Sequence, residues 1–233
     1  MKEIGPSMDV ERRYSTWVEW LKVIEAEITQ LALYRHVFRE TAKIVENNAR
    51  IHKPSVYFSW MRDAYITYAT VGLRKQLDCD PNAISMWKLL DELARFPQLM
   101  TRERYKVLYK GSAVEMFADR DFDRFAGAGM PHLDPSPVQT DLRNLEGFWK
   151  VIKQYTNRKV AHIDRRGIST IPTFGDLDSC QDCLEELLKK YVLLFRASNL
   201  MSVVPVIQDD WQAIFRESWI TPSSVQEPLS RTN

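Results

Sequence analysis

Several absences narrow what this chain can be. Its three cysteines are too few, and odd in number, for a disulfide framework, which favours a reducing compartment. No window approaches the roughly 18 uninterrupted apolar residues of a membrane-spanning helix, and the first 13 residues contain no apolar signal-peptide core. We therefore expect a cytoplasmic protein with no membrane segment.

Charge of one sign is also lacking. The 32 basic and 31 acidic side chains leave a net charge of +1, so no global basic field can recruit nucleic acid. Any nucleic-acid site must therefore be a local patch. This argues against a protein that binds RNA or DNA over its whole surface, but it leaves room for a small nuclease cleft.

The cysteines give little support for a metal site. Cys180 and Cys183 form the C-x-x-C of the chain, inside a segment, 176–196, whose periodicity predicts a helix. Zinc would need two more ligands at matching spacing, and only Cys79 remains, far upstream. Zinc or redox chemistry stays open as an alternative, but the pattern favours ordinary helix cysteines. We predict no metal and no cofactor.

Helical periodicity dominates what is present, and it predicts an all-α bundle. The 233 residues suit one domain over 1–221 with peripheral helices, followed by a disordered tail over 222–233. The run 203–207 is the one β-like stretch, and Pro205 inside it argues against a sheet. One long helix or two consecutive ones are expected over 9–48, from apolar side chains at three- and four-residue steps: Trp17, Trp20, Leu21, Ile24, Ile28 and Leu31.

The segment 55–77 is the most apolar of the predicted helices. Its polar residues hardly form a face, so we expect it to be the central, nearly buried helix, with the helix 141–155 packed against it. Gly72 is costly inside a helix and indicates the close approach of another one. The aromatic stripes exceed the needs of one small core, which favours a homodimer.

Capping residues and breakers mark the helix ends. Ser85 is expected to cap a helix that starts at residue 86, and Thr173 with Asp176 forms a shortened capping box. The glycines and prolines of 126–137 predict a surface loop. Asp209 and Asp210 are expected to cap a last helix that runs to about residue 219.

The stretch from Asn157 to Asp164, N-R-K-V-A-H-I-D, concentrates the chemistry of the chain. An amide, two cations, an imidazole and a carboxylate fall within eight residues. If the segment is helical, Arg158 and His162 stand four residues apart and share one face. An imidazole that titrates near neutrality beside a permanent guanidinium is the minimum set for acting on a phosphodiester.

With this motif in view, the chain resembles the HEPN superfamily (higher eukaryotes and prokaryotes nucleotide-binding), and most closely its abortive-infection AbiU-like branch. Three stretches carry the resemblance: 68–90 (YATVGLRKQLDCDPNAISMWKLL), 141–164 (DLRNLEGFWKVIKQYTNRKVAHID), and the P-T-F at 172–174 with its following helix. The resemblance implies an all-α bundle, usually dimeric, whose active members are metal-independent endoribonucleases. Their signature is an arginine, a polar residue and a histidine, with four to six residues between the arginine and the histidine.

Carried onto this sequence, the signature assigns catalysis to Arg158 and His162. His162 would transfer the proton of a ribose 2′-hydroxyl, and Arg158 would stabilise the charge that develops on the phosphate. Asn157 and Lys159 are candidates for phosphate binding, and Asp164 would orient the imidazole or pair with Arg158. Only three residues separate Arg158 from His162, one fewer than the family minimum, so we expect weak or absent ribonuclease activity.

Two further alternatives stay open at the level of sequence. Arg74 and Asp78, four residues apart on the most apolar helix, form either a structural ion pair or a site in which Arg74 supplies a second cation to the His162 cleft. The protein is either an endoribonuclease of a toxin–antitoxin or phage-defence system, with an antitoxin partner, or a catalytically inactive helical dimer that binds a nucleotide, RNA or another protein. In the second case, His162 would be buried against Asp164.

Overall fold

A computed structural model describes residues 6–156 and 171–218, without the side chains of 6–8, 153 and 154. Within these ranges the protein is all-α and contains no strand, as the sequence predicts. None of the helices of this part combines the length and apolar character that crossing a bilayer requires. The helices are α1 (Pro6–Glu46), α2 (Val56–Gln76), α3 (Met86–Arg95), α4 (Arg102–Val107), α5 (Ala118–Ala126), α6 (Pro135–Tyr155) and α7 (Phe174–Arg196).

One continuous helix, α1, forms the N-terminal part of the bundle. The sequence left open one helix or two over 9–48, and the structure has one. Its apolar side chains recur at helical spacing and bury one face against α2, α3 and α7, which is why a helix of this length is stable. The buried side chains of this face are Trp17, Leu21, Ile24, Ile28, Leu31 and Ala32.

The expectation that the segment 55–77 forms the most buried helix was wrong. Helix α2 leaves several large apolar side chains exposed. It packs against α1, α6 and α7 with one face only. Val56 is 88% exposed and Trp60 is 62% exposed on the opposite face. The apolar composition of a helix predicts that its surface is buried. It does not show whether the same chain or a second molecule covers that surface. The expected packing of the helix 141–155 against α2 is confirmed.

Gly72 marks the close approach that the sequence predicts. A Cβ atom built on Gly72 would lie 2.6 Å from Cδ2 of Leu31 on α1, far inside normal contact. Leu31 is only 2% exposed, so its side chain has little room to move aside. The absence of a side chain at Gly72 therefore fixes how closely α1 and α2 pack.

The predicted caps are confirmed where the side chains can be followed. The Ser85 hydroxyl accepts a hydrogen bond from the backbone N–H of Lys88 at 3.0 Å, at the start of α3. At the start of α7, the Thr173 hydroxyl accepts from the Asp176 N–H at 3.1 Å, and the Asp176 carboxylate accepts from the Thr173 N–H at 2.7 Å. The capping box is therefore reciprocal, and it also lowers the pKa of Asp176 because the carboxylate accepts from both the backbone N–H and the hydroxyl of Thr173.

Two predicted boundaries differ from the structure. Helix α6 begins at Pro135, inside the predicted loop 126–137, because a proline in the first turn gives up only an N–H that has no helical partner. The last helix expected after Asp210 is reduced, within the described residues, to a 3₁₀ turn over Ala213–Phe215. Its start is anchored by the Ala213 N–H, which donates to the Asp210 carbonyl.

Replacing Gly72 by Ala tests the α1–α2 packing. We expect Gly72→Ala to lower the free energy of unfolding by about 1–2 kcal/mol, because overpacking against Leu31 outweighs the gain in helix propensity. Gly147→Ala, in α6, is the matched control: a Cβ there meets nothing within 4 Å, so stability should rise by about 0.5–1 kcal/mol. Urea unfolding followed by circular dichroism measures both, and equal effects would contradict the packing argument.

Candidate functional site

The motif that the sequence singles out lies outside the described residues. Asn157, Arg158, Lys159, His162 and Asp164 all fall within 157–170. Their assignment as catalytic and phosphate-binding residues therefore stays a prediction. The structure does fix the two points between which the motif segment runs, because residues 156 and 171 onward are described.

The first point is Thr156, directly after α6. Its side chain is 2% exposed, and its hydroxyl donates to the Ile152 carbonyl at 2.8 Å. The same hydroxyl also donates to the Thr70 carbonyl of α2, at 3.3 Å. Thr70 is itself fully buried and donates to the Ile66 carbonyl at 2.7 Å. The residue that precedes the motif is therefore held against the middle of α2.

The second point is Phe174, the first residue of α7. Its ring stacks on Phe38 of α1 at 5.8 Å between centroids and on Tyr65 of α2 at 6.3 Å. Phe38 and Tyr65 stack on each other at 4.1 Å with planes only 6° apart. The Arg39 guanidinium lies 5.1 Å from the centre of the Phe174 ring. Phe174, four residues after the end of the undescribed segment 157–170, is thus fixed in an aromatic cluster.

Both anchors lie on the same short stretch of α2. Tyr65 and Thr70 are five residues apart, which is about 7.5 Å along a helix axis. Thr156 and Phe174, the anchors on the two sides of the motif segment, therefore contact α2 within about one and a half turns of each other.

Arg74 lies one turn beyond Thr70 on α2. Its Nη1 atom is 3.2 Å from Oδ2 of Asp78, so the structural ion pair of the two alternatives exists. The sequence predicts this ion pair on a buried helix, but the Arg74 and Asp78 side chains are 35% and 29% exposed. An ion pair with about a third of each side chain exposed contributes little to stability.

Tyr65, which stacks on Phe174, is not a proton acceptor at neutral pH. Burial raises its pKa to about 12, and the nearby Asp178 carboxylate acts in the same direction. The phenol therefore stays protonated at neutral pH. Its role at the site is to pack rather than to transfer a proton.

A polar link between α6 and α7 was not predicted from the sequence. The Asp141 carboxylate accepts hydrogen bonds from Lys190 Nζ at 2.5 Å and from the Tyr191 hydroxyl at 2.8 Å. Lys190 and Asp141 keep 34% and 17% of their side-chain exposure, so the pair is partly shielded. It fixes the two helices that flank the motif segment relative to each other.

Other chemically capable side chains do not assemble a second site in the part of the chain that is described. Cys180 is buried and Cys183 half-buried, and burial raises the pKa of both thiols, so neither is a ready nucleophile. His36 lies edge-on to Trp211 at 6.4 Å, and His132 Nδ1 is 3.1 Å from the Leu133 carbonyl. Residues 6–156 and 171–218 contain no group of three possible metal ligands.

Removing the Thr156 hydroxyl tests the first anchor. We expect Thr156→Val, which keeps the shape, to lower the free energy of unfolding by about 1–2 kcal/mol, because the Thr70 carbonyl loses a buried donor. Thr140→Val is the matched control, since Thr140 bonds the Ser136 carbonyl on the exposed surface of the same helix. Chemical denaturation measures both variants. A Thr156→Val protein as stable as the control would show that this contact does not hold the segment.

Comparison with known proteins supplies the family. The family model HEPN_AbiU2, described as AbiU2, matches residues 14–214, from α1 to the 3₁₀ turn after α7. No curated protein and no solved structure matches the chain. The match includes α2, both anchors and the whole motif segment between them. The chain belongs to the HEPN_AbiU2 family.

Proposed function

We propose that this protein is a metal-independent endoribonuclease of the HEPN type, acting in phage defence or as the toxin of a toxin–antitoxin pair. One observation supports the proposal: Thr156 and Phe174, which precede and follow the motif segment in the chain, both contact the stretch of α2 from Tyr65 to Thr70, and Arg74 lies one turn beyond Thr70. A histidine, an arginine on the same segment and a second cation are what phosphodiester cleavage without a metal requires.

The proposed reaction uses the RNA as its own nucleophile. His162 accepts the proton of a ribose 2′-hydroxyl, whose oxygen attacks the adjacent phosphorus. The bond to the 5′-oxygen of the next nucleotide breaks, and that oxygen takes up a proton. The products are a 2′,3′-cyclic phosphate and a free 5′-hydroxyl. Arg158 and Arg74 stabilise the charge on the phosphoryl oxygens during the attack.

The other motif residues bind and orient in this proposal. Asn157 and Lys159 contact the phosphate of the bound RNA, as an amide donor and as a point charge. Asp164 orients the His162 imidazole, which selects the tautomer able to accept the proton. A local group of cations suits a protein whose net charge is only +1, because binding then depends on the site and not on the whole surface.

We further propose that the working unit is a homodimer restrained by a partner protein. Exposed apolar and aromatic side chains on α2 support the homodimer, since a monomer rarely leaves such a continuous surface in water. An enzyme that cleaves cellular RNA must be held inactive until it is needed. An antitoxin is therefore the second partner of the proposal.

One feature favours a second function. Arg158 is separated from His162 by three residues, one fewer than in the active signature, and Arg74 is engaged by Asp78. A protein with this spacing can bind RNA or a nucleotide without cleaving it. In that case the dimer is a binding scaffold, and cleavage is absent while RNA still binds.

Incubation of the purified protein with total RNA separates the two functions. We expect slow cleavage that persists in EDTA, because no metal takes part in the reaction. His162→Ala should reduce the rate at least about 100-fold, which is the contribution typical of a positioned general acid or base. Circular dichroism checks that the variant keeps its helicity.

His52→Ala is the matched control, because His52 is an exposed histidine outside the proposed site. It should cleave like the unchanged protein. Robust cleavage by His162→Ala would move the chemistry elsewhere. Binding without any cleavage by the unchanged protein would favour the scaffold.

A further inference from the structure

A cavity of about 320 Å³ lies between the N-terminal third of α1, the loop before α3 and α3 itself. We call it the α1–α3 cavity, and the side chains that matter for its chemistry are Arg12, Trp17, Trp20, Pro81, Lys88 and Glu92. Trp17 and Phe38 are about six turns apart on the continuous helix α1, which is roughly 30 Å. The cavity is therefore separate from the aromatic cluster beside the motif segment.

Trp17 places in this cavity wall a buried hydrogen-bond donor that no described residue satisfies. Its side chain is 0% exposed, and its indole Nε1 has no hydrogen-bond partner. Buried N–H groups nearly always have an acceptor, because an unpaired donor has given up its bond to water without replacement. An indole nitrogen can only donate, so the group that completes it must be an acceptor. An oxygen atom of a ligand in the cavity would supply that acceptor.

Lys88 adds a shielded positive charge that can still form hydrogen bonds. Its side chain is 14% exposed, and its ammonium lies 3.4 Å from an Asp91 carboxylate oxygen. That distance is longer than a normal charge-assisted hydrogen bond, and Arg95 lies equally far from the same oxygen. Because an ammonium has three donors, Lys88 can bind a second acceptor and keep its contact with Asp91.

The charges that line the cavity favour a ligand with one negative charge. Three cations, Arg12, Arg13 and Lys88, face two carboxylates, those of Asp9 and Glu92. Arg13 and Glu92 are paired with each other at 2.7 Å, while Arg12 is exposed at the mouth of the cavity. The excess of one positive charge suits a carboxylate better than a dianionic phosphate.

The remaining wall of the cavity is apolar. Trp20 and Pro81 line it together with Trp17. Trp20 is partly buried and packs against the hydrophobic core, so its ring is held in place. An indole ring packs favourably against a second aromatic ring. The volume lies at the small end of the range of small-molecule sites, which suits one ring with a short side chain.

We propose that the α1–α3 cavity binds a small aromatic monocarboxylate. The carboxylate accepts hydrogen bonds from the Lys88 ammonium and the Trp17 indole N–H, and Arg12 attracts its charge at the mouth of the cavity. The aromatic ring packs against Trp20 and Pro81. Since both α1 and α3 line the cavity, the bound molecule connects the two helices and stabilises the folded chain.

Nuclear magnetic resonance of the indole N–H groups tests the ligand class, with phenylacetate as the probe. The chain has seven tryptophans, and the Trp17 signal is identified by its loss in Trp17→Phe or, if that variant does not fold, by contacts within the unchanged protein. Phenylacetate should shift the Trp17 signal downfield with saturation, because the N–H gains an acceptor. The Trp211 signal, from the segment after α7, should not move.

Two further probes serve as controls for the charge. Phenylacetamide has nearly the same shape without the charge, and it should shift the Trp17 signal at least about 10-fold more weakly in affinity. Inorganic phosphate should bind more weakly than phenylacetate, because the cavity has an excess of only one positive charge. Equal binding of the amide, tighter binding of phosphate, or no saturable shift with phenylacetate would overturn the proposal.

Variants of the lining cations test the site. Lys88→Met keeps the length of the side chain and removes the charge, so phenylacetate should bind at least about 10-fold more weakly. Arg12→Gln should weaken binding several-fold. Lys22→Gln is the matched control, because Lys22 is an exposed cation of α1 that pairs with Glu19 and does not line the cavity. It should bind as the unchanged protein does, and a Lys88→Met protein that also does so would contradict the assignment.

The outcomes are independent of the proposed ribonuclease. A chain that binds phenylacetate as expected but never cleaves RNA supports this inference and contradicts the ribonuclease. A chain that cleaves RNA through His162 but shows no saturable shift of the Trp17 signal overturns this inference alone.

Discussion

The close contact between Gly72 and Leu31 sets the position of α2, and the rest of the structure depends on that position. Because no Cβ separates the two helices at this point, α2 lies close enough to α1 for the same face to reach α6 and α7. This buried face supplies the Thr70 carbonyl and the Tyr65 ring. These groups contact Thr156 and Phe174, the described residues on the two sides of the motif segment.

The two faces of α2 have different roles in this account. The inner face contacts Thr156 and Phe174, the described residues that precede and follow the segment with Arg158 and His162. The outer face, with Trp60 exposed, supports the proposed homodimer. One helix therefore connects the proposed chemistry to the proposed assembly.

Local signals in the sequence predicted the local structure well. The Ser85 cap, the reciprocal box of Thr173 with Asp176 and the close approach at Gly72 were all predicted, because each depends on residues within one turn or on a missing side chain. The burial of α2 was wrong because Trp60 is apolar but a single chain does not cover it. An apolar composition indicates that a surface is buried, but it does not identify the molecule that buries it.

Contacts between distant residues could not be predicted in the same way. Thr156 meets Thr70 across 86 residues, and a threonine after a helix carries no signal of such a partner. Asp141 and Lys190 form an ion pair although they are 49 residues apart, and no local pattern in the sequence predicts that pairing. The motif itself was found because its residue types are unusual for an apolar helix end, and its catalytic role stays a prediction since 157–170 lie outside the described residues.

His162 and Arg74 are proposed to belong to one RNA site beside α2. Nuclear magnetic resonance of the imidazole groups tests it directly, because the chain has only four histidines to assign. During titration with a short 2′-O-methyl RNA, which cannot be cleaved, the His162 signals should shift with saturation, and Arg74→Gln should weaken that binding several-fold. Arg62→Gln, about three turns before Arg74 on the same helix, should bind as the unchanged protein does. RNA that binds without moving the His162 signals, or with equal affinity to Arg74→Gln, would contradict the account.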